Sequence, residues 1–491
     1  GTPQSKIIID HSPLASLSKN MMYLVRYPHG CLEQTISAAF PQIYFPDMIK
    51  AMGSNTNKMT KGESEMNPTY NVNQALSKLN NLVNYDGNMS YWNNYYSYSL
   101  YLNAYTLHFI VECEKNGYAI NQNMKSRLIA QCSQQASSNM LDVEYINENE
   151  KVNYISREKI YTLYVLALAG SPNKSAMNYC KMSKQLLFNS NQYVLASSFA
   201  LIGDMKSYKE ILPKSYLREN NNRYSWYDFS SPIKDKALVL NALLESNINT
   251  PQVHDLAKSL VIDLKQNSYY NTNELAYGII ALGKYGNKHI QKGGQATVLI
   301  DGKNIGNYTG NLLTHITNKK NIKINGTGSG SVYYSVVTEG ISNGKNTTEI
   351  DNGIVARRQF YNRKGEVINP LNIKQNDLIV VKLSVSRPYG GYLKNIALTD
   401  ILPAGLEIEN PRITITNDLE WMNNQSYASN MDIRDDRINY FFDLYENGTM
   451  HFYYMCRAVS KGKFILGNVQ ADAMYDGSIH SYNGKGVLIV N

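Results

Sequence analysis

The chain has 491 residues, more than one ordinary domain needs and enough to bury sizeable cores; the length suggests two to four domains. Hydrophobic residues make up 43 %, which excludes a wholly disordered chain. The net charge is +8, but the basic residues are scattered in nothing longer than pairs such as Lys319-Lys320 and Arg357-Arg358, so there is no nucleic-acid footprint.

Residues 5–10, around Ile7-Ile8-Ile9, read as a short strand. Residues 14–27 carry Leu14, Leu17, Met21, Met22, Leu24 and Val25 at helical spacing. A helical pattern runs from Thr35 to Met52, where Pro41 and Pro46 are expected to break or kink it. Residues 53–68 form a polar loop. Helical patterns then dominate from 70 to 286, over 71–84, 98–115, 122–139, 154–169, 174–187, 191–203, 233–246, 251–266 and 272–285. Breaks such as Asp86-Gly87, Ser171-Pro172-Asn173 and Ser231-Pro232 separate them. Many helices joined by short turns suggest a toroid or a solenoid, and the pattern alone does not separate the two. After about 287 the period becomes two: strands are expected over 296–301, 320–325 and 331–337, between Gly/Asn turns. A second β-region starts near 348, with strands near 354–361, 378–386, 395–402, 438–445, 450–459, 462–474 and 486–491. That density suits an antiparallel sandwich. No window reaches the length of a transmembrane helix.

The stretch that carries chemistry is Tyr27-Pro28-His29-Gly30-Cys31-Leu32-Glu33-Gln34-Thr35. If a helix starts here, Cys31 and Gln34 meet on one face. Attack of the Cys31 thiolate on the Gln34 amide carbon, with loss of ammonia, would close an internal thioester. Such an acyl donor is useful only if water is kept out until a nucleophile is wanted. A bare Cys-x-x-Gln also fits a plain buried cysteine near a helix N-terminus, so the spacing alone leaves both readings open.

The longer string resembles the thioester signature of the α2-macroglobulin and complement superfamily, which in bacterial members typically reads Tyr-Pro-Tyr-Gly-Cys-x-Glu-Gln-Thr. Here His29 replaces one tyrosine. The likeness continues in Tyr85–Trp92, Leu102–Tyr105, Ser231–Ala237 and Tyr270–Tyr277, and is strong in Asp400–Pro411, Arg434–Arg437 and Ala473–Asp476. It implies a multidomain α + β chain. Residues 1–12 would end the first part of a CUB-like β-domain, and 13–287 would form an α/α-toroid thioester domain of helical hairpins. Residues 288–347 would be the returning half of the CUB-like domain, and 348–491 a C-terminal macroglobulin-like β-sandwich.

The resemblance also implies roles. Cys31 and Gln34 become the thioester pair, with Glu33 in the motif. Met474 and Tyr475, with Tyr23, Tyr27 and Trp92 on the thioester side, become candidate shields against water; for each of them, ordinary packing is the competing reading. In complement-like relatives a histidine between the first long helices takes up the acyl group. The corresponding stretch 84–101 has none, so lysine amines are the expected targets. His29 and His108 are the remaining histidines to weigh, His29 as a base toward the Cys31 thiol.

The expected partners are target proteases, bound covalently through lysine amines, and upstream macroglobulin domains. Membrane anchoring would come only through a preceding part, in a periplasmic or cell-envelope setting. No cofactor, metal or nucleic acid is expected. The other four cysteines (Cys113, Cys132, Cys180, Cys456) read most simply as buried free thiols, with one disulfide left open. Arg434-Asp435-Asp436-Arg437 reads as a turn with structural ion pairs rather than as an acid/base site. Two rivals stand beside the protease-trapping reading. One is a binding or adhesion module with a non-functional thioester. The other is an α/α-toroid enzyme, which would need an acidic or zinc cluster in its bore.

Overall fold

A computed structural model describes residues 3–25, 30–53, 67–93, 99–138, 142–147, 150–217, 231–248, 250–266, 271–289, 293–340, 349–409, 420–422, 424–445 and 447–491. The chain divides into two compact units, residues 1–268 with 272–342, and residues 269–271 with 343–491.

In the first unit six helices form a closed ring. Leu32–Tyr44 packs on Leu100–Lys115, which packs on Arg157–Leu168; Asn189–Leu201, Pro232–Glu245 and Thr272–His289 follow, and the last packs back on the first. Other helices lie outside: Pro68–Leu79 against the first, Gln122–Ala136 against the second and third, and Pro251–Gln266 against the last two. Burial follows from this arrangement. The ring helix Leu100–Lys115 is buried continuously from Tyr101 to Cys113, on all sides. The outer helix Gln122–Ala136 buries only Met124, Leu128, Cys132 and Ala136, one stripe at fourfold spacing.

Serines set several helix starts. The hydroxyls of Ser99, Ser156 and Ser231 accept the N–H groups of Leu102, Lys159 and Lys234 at 3.3, 3.3 and 3.1 Å. Inside the ring an aromatic column stacks Tyr101, Tyr105 and Tyr277, with centroids 5.5 and 5.7 Å apart. Toward the C-terminal ends of the ring helices, Lys284 is ion-paired with Glu112 at 3.6 Å and with Glu245.

The strand Gln4–Asp10 belongs to a β-region completed by residues nearly 300 positions later. It is the middle strand of an antiparallel sheet, between Leu313–Thr317 and Tyr333–Glu339, with Ile8 opposite both Thr314 and Ser335. A second three-stranded sheet has Gly294–Ile300 between Lys303–Tyr308 and Ile322–Gly328. Ile7 and Ile9 meet Ala296, Val298, Ile300 and Tyr308 between the sheets. The helical ring is therefore an insertion within a small β-sandwich.

The second unit is a β-sandwich. One sheet holds Val355–Tyr361, Leu378–Ser386, Thr449–Ala458 and Leu406–Ile408 in that order. The other holds Asn430–Arg434, Arg437–Leu444, Leu393–Ile401, Val469–Ala473, His480–Asn483 and Ile350–Asn352. A buried ion pair joins them: Arg358 of the first sheet binds Asp400 of the second, and the Tyr454 hydroxyl donates to the same carboxylate at 2.7 Å. Arg358 also donates to the Gly467 and Gly484 carbonyls, each at 2.7 Å, so the buried guanidinium and carboxylate are both satisfied. At the 434–437 turn, Arg434 pairs with Asp432 and Arg437 with Asp436, each at 3.0 Å. Arg434 and Asp436 are exposed and Asp432 and Arg437 half-buried, as suits a surface turn.

Candidate functional site

Cys31 and Gln34 come together at the start of the first ring helix. Cys31 is its N-cap, with an extended backbone (φ −64°, ψ 170°), and Gln34 is its third residue. The two close a capping-box arrangement in which the Cys31 N–H donates to Gln34 Oε1 at 3.3 Å. Both side chains are 1 % exposed. The amide that must be attacked is thus held against the residue that carries the sulfur, away from water.

Three further contacts fix this corner. The Leu32 N–H donates to the Tyr91 carbonyl at 3.0 Å. The Thr35 hydroxyl donates to the Gly30 carbonyl at 3.3 Å. Lys78, from the outer helix Pro68–Leu79, donates to that same carbonyl and to the Thr35 hydroxyl, the latter at 3.1 Å. Lys78 lies close over Gly30: a Cβ there would stand 2.9 Å from the lysine nitrogen, which would have to shift.

Glu33, between the pair, faces the ring and is fully buried. Its carboxylate accepts from Ser37 one turn on, from the Thr272 hydroxyl at 2.8 Å and from the Asn273 amide at 3.2 Å. Thr272 and Asn273 open the closing helix of the ring, so an acidic group sits at that helix N-terminus, where the backbone dipole favours it. Ser37 is also within 2.9 Å of the Tyr105 hydroxyl, and Tyr101 donates to Asn273 at 2.9 Å. Glu33 is an anchor between the first and last ring helices.

The remaining candidates fall in different places. Trp92 is half-buried and directly follows Tyr91, whose carbonyl holds the helix start. Tyr23, on the helix Ser18–Val25, is 49 % exposed. Tyr27 and His29 lie outside the described residues. Met474 and Tyr475 belong to the second unit and are buried. His108 is buried in the ring, 2.9 Å from the Tyr161 hydroxyl and edge-on to Phe40, and burial pushes its pKa down to about 3. It is a neutral core residue.

All five cysteines are buried, and Cys113, Cys132, Cys180 and Cys456 are free thiols. Burial pushes the thiols of Cys132 and Cys180 up to about 12 and 11, and raises Cys113 and Cys456 as well. Those four are unreactive thiols. Among the described residues no cluster of histidines, cysteines and acids could hold a metal, and no helix is long and apolar enough to cross a membrane.

The sequence reading missed Lys78. Nothing local marks it, since a lysine on an outer helix reads as solvated surface and its target lies 48 residues away. Thr272 and Asn273 stood in a string whose resemblance pointed to packing and capping, without naming Glu33 as what they hold.

Residues 7–170 match the A-macroglobulin TED domain, and residues 353–477 match the bacterial alpha-2-macroglobulin MG10 domain. The alpha-2-macroglobulin of Rickettsia conorii is 25 % identical over 99 % of this chain, and that of Escherichia coli 20 % identical over 96 %. The chain spans 25 % and 29 % of those two relatives. Among solved structures, native Escherichia coli alpha-2-macroglobulin from domain MG7 to the C-terminus superimposes with a TM-score of 0.80 at 19 % identity, covering all of this chain and 78 % of that one. Salmonella alpha-2-macroglobulin reacted with methylamine superimposes with a TM-score of 0.79 at 20 % identity, covering all of this chain and 32 % of that one. The helical ring with its Cys31–Gln34 corner, the split β-sandwich and the following antiparallel sandwich together place this chain in the bacterial alpha-2-macroglobulin family.

Proposed function

We propose that Cys31 and Gln34 form an internal thioester, and that the protein carrying this chain traps proteases by single-turnover acyl transfer. The observation that carries the reading is the mutual capping of two buried residues, Cys31 and Gln34, inside the motif string. In forming the bond, the Cys31 thiol gives up its proton and its sulfur attacks the Gln34 side-chain carbon; the C–N bond breaks and the amide nitrogen takes up that proton and leaves as ammonia. In the trapping step a lysine amine of the target attacks that carbon, an amide forms, and the proton goes with the departing sulfur as the Cys31 thiol. No general base or metal is needed, because the thioester carries the activation. The protease as target, lysine as acceptor, the bait cleavage that exposes the bond and an envelope location come from the family resemblance. So do the shielding roles of Met474, Tyr475, Trp92, Tyr23 and Tyr27.

The test is the intact mass of the purified chain before and after methylamine, with free thiols counted. A mass lower by one ammonia, converted to a methylamide with one new thiol at Cys31, is the expected result. The high pKa values of Cys132 and Cys180 keep the native background low. An unshifted mass with Cys31 already free removes the acyl-transfer reading from this chain and leaves a scaffold or binding module.

A further inference from the structure

Lys78, Gly30, Cys31 and Gln34 form one line of hydrogen bonds across the helix entry. The Lys78 ammonium, on the outer helix Pro68–Leu79, donates to the Gly30 carbonyl. From the same peptide group the Cys31 N–H donates to Gln34 Oε1 at 3.3 Å. Among the described residues no peptide bond is cis, so the Gly30 carbonyl and the Cys31 N–H point in opposite directions. Lys78 therefore acts on Gln34 through the peptide group. Thr35 strengthens the same arm: its hydroxyl donates to the Gly30 carbonyl at 3.3 Å and accepts from Lys78 at 3.1 Å. A carbonyl oxygen that accepts a charged donor draws electrons from its amide nitrogen, and the N–H on that nitrogen becomes a stronger donor.

Gln34 Oε1 is the atom on which charge develops. When an amine attacks the Gln34 side-chain carbon of the thioester, the C=O π pair moves onto that oxygen. It returns as the C–S bond breaks, and a proton of the attacking nitrogen leaves with the Cys31 sulfur. A donor aimed at Oε1 stabilises the charged intermediate more than the ground state. At 3.3 Å the Cys31 hydrogen bond is long for an N–H donor, which leaves room to tighten as the oxygen becomes charged.

We infer that Lys78 is a positioning residue for acyl transfer: acting through the Gly30–Cys31 peptide, it makes the Cys31 N–H an oxyanion donor to Gln34 Oε1. The inference rests on the thioester reading and goes beyond it by naming the group that stabilises the reaction's charge. Lys78 is half-buried and works at one remove, so its effect is smaller than that of a donor touching the oxygen itself.

The experiment compares the purified chain with Lys78→Met, Lys78→Gln and Lys78→Arg. The readouts are the rate at which methylamine releases the Cys31 thiol, the infrared carbonyl stretch of the thioester with isotope-labelled glutamine, and the melting temperature. Lys78→Met is expected to slow release by about three- to tenfold. The thioester stretch moves to higher frequency with it, because the carbonyl oxygen accepts a weaker bond. Lys78→Arg keeps a charged donor and restores the parent rate and frequency. Melting temperatures stay close to the parent's. Should Lys78→Met fail to fold, Lys78→Gln, a donor without charge, decides the matter by the same slowing and the same direction of shift. Release at the parent rate or faster in the neutral variants, or slowing with an unmoved stretch, overturns the inference and leaves Lys78 a tether between two helices. A parent chain that has lost no ammonia is a different failure: it removes the thioester reading itself, and this role falls with it.

Discussion

At the scale of single residues, the motif divides its labour. Cys31 and Gln34 face each other, while Glu33 between them faces the ring. Its two oxygens collect donors from Ser37, Thr272 and Asn273. Glu33→Gln keeps the shape but turns one acceptor into a donor among donors. The expected cost is about 1–3 kcal/mol, the penalty of a buried group left without its partner. Urea unfolding of the two chains checks this, and an unchanged midpoint would mean that the first and last ring helices do not need this anchor. His108 gives the residue-scale pH prediction. Its pKa falls from 6.5 to about 3 on folding because burial disfavours the imidazolium. The unfolded chain therefore binds a proton that the folded chain refuses between those values. Stability contributed by neutral His108 is fully present above pH 6.5 and drains away as pH falls toward 3, by up to about 1.4 kcal/mol per pH unit. Carboxylates titrate in the same range, so the measurement is a difference: His108→Phe should flatten the acid limb of the stability–pH curve relative to the parent. Equal slopes would place His108 in contact with water.

At the scale of elements, Gly283 shows how packing reverses a local preference. It lies inside the ring helix Thr272–His289, where alanine would ordinarily help by roughly 1 kcal/mol. A Cβ at this position would fall 1.7 Å from the Phe45 ring. Gly283→Ala is therefore expected to destabilise by about 1–3 kcal/mol, read as a lower melting temperature, through overpacking against Phe45. A rise in melting temperature would show that Phe45 swings aside freely. Phe45 is also where the sequence reading of proline is sharpened. Pro41 does not break the helix Leu32–Tyr44; it lies in the last turn, and its carbonyl accepts the Phe45 N–H at 3.2 Å. The break comes at Phe45, which leaves the helical region at φ −129°, ψ 47° just ahead of Pro46, whose ring disfavours a helical conformation in the residue before it. The long helices were legible because their apolar spacing is dense; the helix expected at 251–266 spans Pro251–Gln266. The hairpin Asp142–Asn147 with Glu150–Tyr154 was not, since two short strands of mostly polar sequence carry no periodic signal. Lys303–Tyr308, Leu313–Thr317 and His480–Asn483 escaped for the same reason. At the site, the Cys31–Gln34 pairing was legible from spacing and the motif string. The Lys78 clamp was not, because it is a contact between two helices.

At the scale of the molecule, the first strand has an influence out of proportion to its seven residues. Gln4–Asp10 hydrogen-bonds on both sides, to Leu313–Thr317 and to Tyr333–Glu339, and those two strands have no direct pairing with each other. It also delivers Ile7 and Ile9 to the core between the sheets, about 1.5–3 kcal/mol for each buried isoleucine. The ring of helices hangs between this strand and its distant partners, so the chain must close its largest loop before this sheet can exist. Residues 343–491 share none of these strands; they have the two sheets of their sandwich, the small pair Gly462–Leu466 with Gly486–Val490, and their own Arg358–Asp400 pair. Two pieces, 1–342 and 343–491, should therefore each fold, giving cooperative melts with a mainly helical and a mainly β circular-dichroism spectrum. Removing residues 1–12 from the first piece should act quite differently. The ring would retain its helices, but two strand edges would be bared beside an emptied core, which favours association between chains. Size-exclusion chromatography separates the cases. A monomeric 1–342 beside an aggregating 13–342 makes the first strand the keystone of its sandwich, whereas two monomers with equal melting temperatures would mean that the ring alone holds the first unit together.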